Sequence, residues 1–167
     1  NDENPVGMPT MHVDDFPIGK GRFSVTEYVA TDERTNSRFP LLLTTGRILS
    51  QYNVGAQTRR TENQAWHDAD VLDIHPSDAE LRGSKENDWL GITSRAGQTV
   101  LRARITDKVL PGVVYTTFHH PGSGANVITT DTPHRQTHCP EYNVPAVKVA
   151  RGRQPHRSTP TSTTFDA

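Results

Sequence analysis

A chain of 167 residues with a net charge of −1 and 32% hydrophobic residues has the size of one domain with some tail and can build only a modest core. Near-neutral charge provides no global field for nucleic acid or a membrane surface, so any anion must be bound by local clusters. A single cysteine, Cys139, excludes an internal disulfide framework and a multi-cysteine metal or iron–sulfur site, and no apolar run approaches the ~20 residues that cross a bilayer.

Residues 1–38 are poor in apolar side chains and rich in Gly, Pro, Asp and Thr, which predicts a flexible leader or linker. Phe16-Pro17-Ile18-Gly19-Lys20-Gly21-Arg22-Phe23 is its one patch with packing potential. A start at Asn1 rather than Met, with no charged-then-apolar opening segment, reads as a domain cut from a longer chain. The continuous apolar run at 39–45 predicts a strand buried on both faces. Residues 56–66 can carry a helical turn or two, with Trp66 and His67 as packing and surface residues.

A second strand is predicted at 71–75. Pro76 then opens a helix, since a proline at the first helical position sacrifices no intrahelical donor, with Asp78 in the favourable first turn. Gly83 stands where a left-handed cap ends it. Residues 89–94 and 98–106 form a hairpin around Arg95-Ala96-Gly97; Leu101, Ala103 and Ile105 alternate with Arg102 and Arg104. Pro111-Gly112 is a turn with glycine where φ is positive, and 113–118 is another strand. The stretch 119–140 is too long for a mere connector, which points to a binding role. A closing strand at 144–149 and a disordered tail at 151–167 complete the chain. The fold class is mainly β with helical excursions: a small barrel of about six strands over 39–150.

Between the first two strands lies Thr44-Thr45-Gly46-Arg47-Ile48-Leu49-Ser50-Gln51-Tyr52-Asn53-Val54-Gly55-Ala56-Gln57-Thr58-Arg59-Arg60. A strand, then glycine, then cations and amides brings backbone close to an anionic ligand. Gly46 has no Cβ to hold a phosphate away, and Arg47 presents a planar fork of donors. A tight turn with ordinary surface arginines accounts for the same residues equally well. Neither the phosphate-cradling GxxxxGK[ST] loop nor the dinucleotide-binding GxGxxG turn is present. In the later loop, Asn126 and Thr129 suit recognition of a heterocycle edge or simple loop capping.

His119, His120, His134 and His138 raise the question of zinc, but adjacent histidines rarely reach one ion and no HExxH or CxxC accompanies them. They are taken as loop histidines at a ligand or domain surface. Cys139 has no identifiable base, and no Ser-His-Asp order stands out, so neither metal nor catalytic residues are assigned.

The TTGR-x-L-x-Q-Y-N-x-G-x-x-T-R-R run resembles the pterin-dinucleotide-binding segment of the dimethyl sulfoxide reductase family of molybdenum and tungsten oxidoreductases. It is most similar to the C-terminal domain of the catalytic subunit of soluble, NAD-linked formate dehydrogenases. Asp73-Ile74-His75-Pro76-Ser77-Asp78-Ala79, Ser94-Arg95-Ala96-Gly97, Val113–Phe118, Ala125–Asp131 and Cys139-Pro140-Glu141-Tyr142 continue the likeness in order. The resemblance implies a six-stranded double-psi β-barrel that binds a bis(molybdopterin guanine dinucleotide) cofactor with Mo or W. It implies cofactor contacts from Thr45, Gly46, Arg47, Ile48, Leu49, Gln51, Tyr52, Asn53, Phe118, Asn126 and Asn143, the last standing where many relatives have Lys. It also implies partners in the remaining domains of a cytoplasmic catalytic subunit and its electron-transfer subunits, with no nucleic acid or membrane. The isolated chain is expected to be monomeric and inactive. The alternative is a non-catalytic adaptor barrel, and a small metal-dependent hydrolase is a more remote one.

Overall fold

The computed structural model describes residues 7, 16, 18–28, 30–129 and 144–153. Residues 1–30 and 31–167 form two compact units. In the first, Phe16 and Gly19 make an isolated antiparallel bridge in which the Gly19 N–H donates to the Phe16 carbonyl at 2.8 Å. No helix among the described residues is long and apolar enough to cross a membrane.

The second unit is a closed barrel of strands β1 Leu41–Gly46, β2 Val71–Ile74, β3 Trp89–Thr93, β4 Gln98–Ile105, β5 Val113–Thr117 and β6 Ala146–Arg151, in the order β1-β5-β2-β4-β3-β6. β1 runs parallel to β5 and β2 parallel to β4, while the other neighbours are antiparallel. This is the double-psi barrel implied by the resemblance. Alternate residues point inward and build one core: Leu41 and Leu43, Leu72 and Ile74, Leu90 and Ile92, Leu101 and Ala103, Val114, Val147 and Val149. The run Leu41-Leu42-Leu43 is therefore not buried on both faces. Leu41 and Leu43 face the core and Leu42 the partly exposed outside, because a closed barrel has only one inner face.

The closing strand begins at Ala146 rather than Val144. Pro145 has no N–H for the ladder and contributes only its carbonyl, which accepts from the Leu43 N–H at 2.9 Å. The helix α1 Pro76–Leu81 opens as expected, with His75 Nδ1 accepting from the Ser77 N–H, and Gly83 follows it at φ +60°. Asp78 turns inward. Its carboxylate accepts from the Gly112 N–H at 2.7 Å, tying the helix to the turn that starts β5.

The topology gathers several chain reversals at one end of the barrel. β1 and β5 both leave there, with Gly46 opposite Thr117; β2 and β4 both enter there. The β3–β4 turn at Arg95-Ala96-Gly97 lies at the same end. Buried Glu33 accepts from Arg95 Nη1 at 2.5 Å and from the Ala146 N–H at 3.0 Å, holding the approach to β1 against this turn and β6.

The described part of 119–140 is not featureless. It carries 3-10 turns at Pro121–Ser123 and Ala125–Ile128 that seat Ile128 in the core. Thr99 Oγ1 donates to the Ser123 carbonyl at 2.5 Å, and a Cβ on Gly97 would lie 2.5 Å from the Val127 carbonyl oxygen. Gly97→Ala is accordingly expected to cost about 1–3 kcal/mol by overpacking. Chemical denaturation would measure the loss, and a shifted Ile128 methyl resonance would show that the second turn has moved.

Candidate functional site

Parallel pairing of β1 and β5 sets the residues that follow them, Arg47 and Phe118, side by side. The Arg47 guanidinium carbon lies 5.4 Å from the Phe118 ring centroid, and Arg47 Nη2 donates to Asn53 Oδ1 at 3.2 Å. A cation over an aromatic face gains about 0.5–1 kcal/mol at such an exposed site, and Asn53 fixes one edge of the fork. Among the described residues the other guanidinium donors make no hydrogen bond. Asn53 itself has φ +46°, a backbone region that asparagine tolerates better than most residues.

Gly46 has a different role from the one expected. The space its Cβ would need is taken by Tyr115, whose hydroxyl would be 2.7 Å away and donates to the Arg47 carbonyl at 3.2 Å. What glycine relieves here is this contact, which fixes the backbone of Arg47. Burial pushes the Tyr115 phenol above its ordinary value, and the nearby Asp73 charge adds to that, so it stays a neutral donor.

His119 is wholly buried, unlike a surface loop histidine. Its Nε2 accepts from the Ile48 N–H at 3.1 Å and its Nδ1 donates to the Asn53 carbonyl. Its own carbonyl accepts from Arg59 Nη1 at 3.1 Å, and its N–H donates to Asp70 at 3.2 Å. Asp70, also buried, further accepts from Thr117 Oγ1, the His120 N–H at 2.9 Å and His120 Nδ1 at 3.2 Å. Burial pushes the Asp70 carboxyl up, but hydrogen bonds from Thr117, Ser123 and His120 outweigh it and hold the group below its ordinary value. His119, Arg59 and Asp70 were not among the expected site residues. The long chain separation between His119 and its partners hides the relation from any local spacing.

Arg47, Ile48, Leu49, Ser50, Gln51, Tyr52, Trp66 and His67 line an open hollow of about 740 Å³. Ser50 Oγ and His67 Nδ1 are 3.0 Å apart in its wall. Leu49, Tyr52 and Trp66 stand strongly exposed around it, so Trp66 is not a packing residue. Gln51 is buried; its Oε1 accepts from Thr58 Oγ1 at 2.6 Å, which leaves Nε2 buried with no hydrogen-bond partner. A buried donor without a partner is costly and is commonly matched by a ligand or water.

Of the residues expected from the sequence, the structure brings Arg47, Ile48, Leu49, Gln51 and Tyr52 to this hollow and Phe118 and Asn53 onto Arg47. Thr45 and Gly46 end β1 immediately before it. Asn126 is exposed at the same end of the barrel, in the turn packed against β4, but does not line the hollow. Asn143, His134, His138 and Cys139 lie outside the described residues. Among the described residues, no group of three or more His, Cys, Asp or Glu is placed to hold a metal ion.

Residues 41–146, from the first residue of β1 to the first of β6, match the family described as molydopterin dinucleotide binding domain. The chain belongs to that family. F420-dependent formate dehydrogenase 1 subunit alpha of Methanococcus maripaludis is 36% identical over 152 residues, covering 89% of this chain and 22% of the relative. F420-dependent formate dehydrogenase subunit alpha of Methanocaldococcus jannaschii is 34% identical over 153 residues, covering 90% and 23%. This molydopterin dinucleotide-binding domain thus spans under a quarter of the length of these relatives. Acetylene hydratase from Pelobacter acetylenicus has the same fold, with a TM-score of 0.60 at 16% identity over 68% of this chain and 18% of that one. The residues present fit a pterin dinucleotide: a guanidinium suits its diphosphate, and the unpartnered Gln51 amide and the Phe118 face suit a polar planar ring.

Proposed function

We propose that residues 39–150 hold part of the bis(molybdopterin guanine dinucleotide) cofactor, with Mo or W, of a formate dehydrogenase catalytic subunit. Residues 1–38 would be its leader and 151–167 its tail. The observation that best supports this is the seating of Arg47 on Phe118 at the rim of a hollow whose wall holds an unpartnered Gln51 amide. The Arg47 guanidinium neutralises diphosphate. Thr45, Gly46, Ile48, Leu49 and Tyr52 shape the pocket, and Gln51, Asn53, Phe118, Asn126 and Asn143 orient the rings. When bound, the cofactor supplies the redox chemistry that takes formate to carbon dioxide.

The other walls come from the remaining domains of the subunit, which matches the apolar rim of Leu49, Tyr52 and Trp66. Separate electron-transfer subunits in the cytoplasm carry the electrons to the acceptor, F420 in the named relatives and NAD in the enzymes the sequence resembles. The chain by itself is monomeric and does not turn over formate; measurable formate oxidation by the purified chain would overturn this.

Titration of the 15N-labelled chain with GDP tests the binding reading. Amide shifts are expected in 46–53 and 118–126. Arg47→Ala should weaken binding tenfold or more, about 1.4 kcal/mol. Arg47→Lys should recover only part, because an ammonium lacks the planar fork. If those amides stay still while another face responds to protein partners, the chain is an adaptor barrel instead.

A further inference from the structure

We propose that His119 is the positioning residue of this site, locking the loop that carries Arg47 to the strand exit that carries Phe118. The argument rests on the reading of this end of the barrel as the cofactor site. His119 has four polar groups and no exposure, and each has a partner: the Ile48 N–H, the Asn53 carbonyl, Arg59 Nη1 and Asp70 Oδ1. All four partners belong to the single connection between β1 and β2. Two of them flank the ligand-facing stretch directly, since Ile48 follows Arg47 and Asn53 Oδ1 holds the Arg47 guanidinium.

The ring state is determined by these contacts. Nε2 faces an N–H donor and so carries no proton, while Nδ1 faces a carbonyl and carries one. A neutral Nδ1–H imidazole is the form that joins Ile48 to Asn53 across one rigid ring. Phe118 precedes this residue and packs on the same ring, with centroids 5.2 Å apart. The position of Phe118 beneath Arg47 therefore follows from where the imidazole is held.

Nuclear magnetic resonance on the 15N-labelled 167-residue chain, alone and with GDP, tests this. The N–H···N bond should give a scalar coupling between the Ile48 amide nitrogen and His119 Nε2. The Phe118 ring should shift the Arg47 side-chain protons upfield. His119→Leu should abolish that upfield shift and weaken GDP binding tenfold or more. His119→Gln keeps one acceptor and one donor, and should retain the shift and bind GDP within threefold of the original. An Nε2–H tautomer without the coupling would overturn the proposal, as would an Arg47 shift unchanged in a folded His119→Leu chain. Should His119→Leu fail to fold, the coupling and the His119→Gln comparison still decide. A chain with the coupling and the histidine-dependent Arg47 shift that nonetheless ignores GDP would support the positioning role while removing support for the cofactor reading.

Discussion

Asp70→Asn is expected to destabilise the domain by about 1.5–3 kcal/mol at neutral pH, the range for losing hydrogen bonds to a charged group. For a chain of this size that lowers the melting temperature by roughly 5–10 °C. The carboxylate sits where β2 enters, with donors from Thr117, His119 and His120 converging on its two oxygens. An amide in its place turns one acceptor into a donor facing other donors. The pH dependence follows from the depressed folded-state value. Asp70 is harder to protonate when folded than when unfolded, so its stabilisation is complete above the ordinary value of 3.8 and is lost as the pH falls through the lower folded value. Melting curves from pH 7 to the acid limit should show the wild type converging on Asp70→Asn as the pH drops. Parallel curves for the two proteins would show that the carboxylate is not the group that matters.

Gly55→Ala is expected to be worse placed still, with a loss of about 2–4 kcal/mol from two separate sources. Gly55 has φ +69°, which costs a residue with a Cβ about 1 kcal/mol or more. The added Cβ would also lie 2.9 Å from the His119 carbonyl oxygen, 3.1 Å from Gln51 Oε1 and 3.1 Å from Arg59 Cγ. Overpacking of that kind typically costs a further 1–3 kcal/mol. His119 and Arg59 hold the loop to the β5 exit and Gln51 lines the hollow, so the damage should be felt in the hollow as well as in stability. Urea denaturation would give the loss, and GDP binding weaker than that of the parent chain would report the displaced Gln51. A folded variant with native Ile48 and Asn53 amide shifts would contradict the tight contact at this point.

The regular part of the fold was largely legible in the sequence because its signals are local. Proline at the start of α1 and positive-φ glycines at 83 and 112 mark boundaries by backbone chemistry alone. The alternation of Leu101 and Ala103 with Arg102 and Arg104 marks an inward and an outward face. Closure was not a local signal, which is why three successive leucines suggested two buried faces. The psi topology came from the family resemblance and not from counting strands.

The site was legible in part, for the same reason. Gly46-Arg47 and Phe118 stand out as residue types, and the pairing of β1 with β5 joins them. His119 was misjudged because two adjacent histidines suggest a metal or a surface, whereas its partners at 48, 53, 59 and 70 lie far back along the chain. Asp70 looked like an ordinary acid before a strand. Gly46 suggested room for a phosphate, but in the folded chain Tyr115 fills that room.

Because β6 pairs with both β1 and β3, every strand of the ring has a neighbour on each side. An open sheet offers neighbouring polypeptide a row of free N–H and carbonyl groups to extend. Among the described residues the ring has no edge strand, so contact with further polypeptide falls to side chains and loops. Such a module can be carried within a much longer protein without its sheet merging with another.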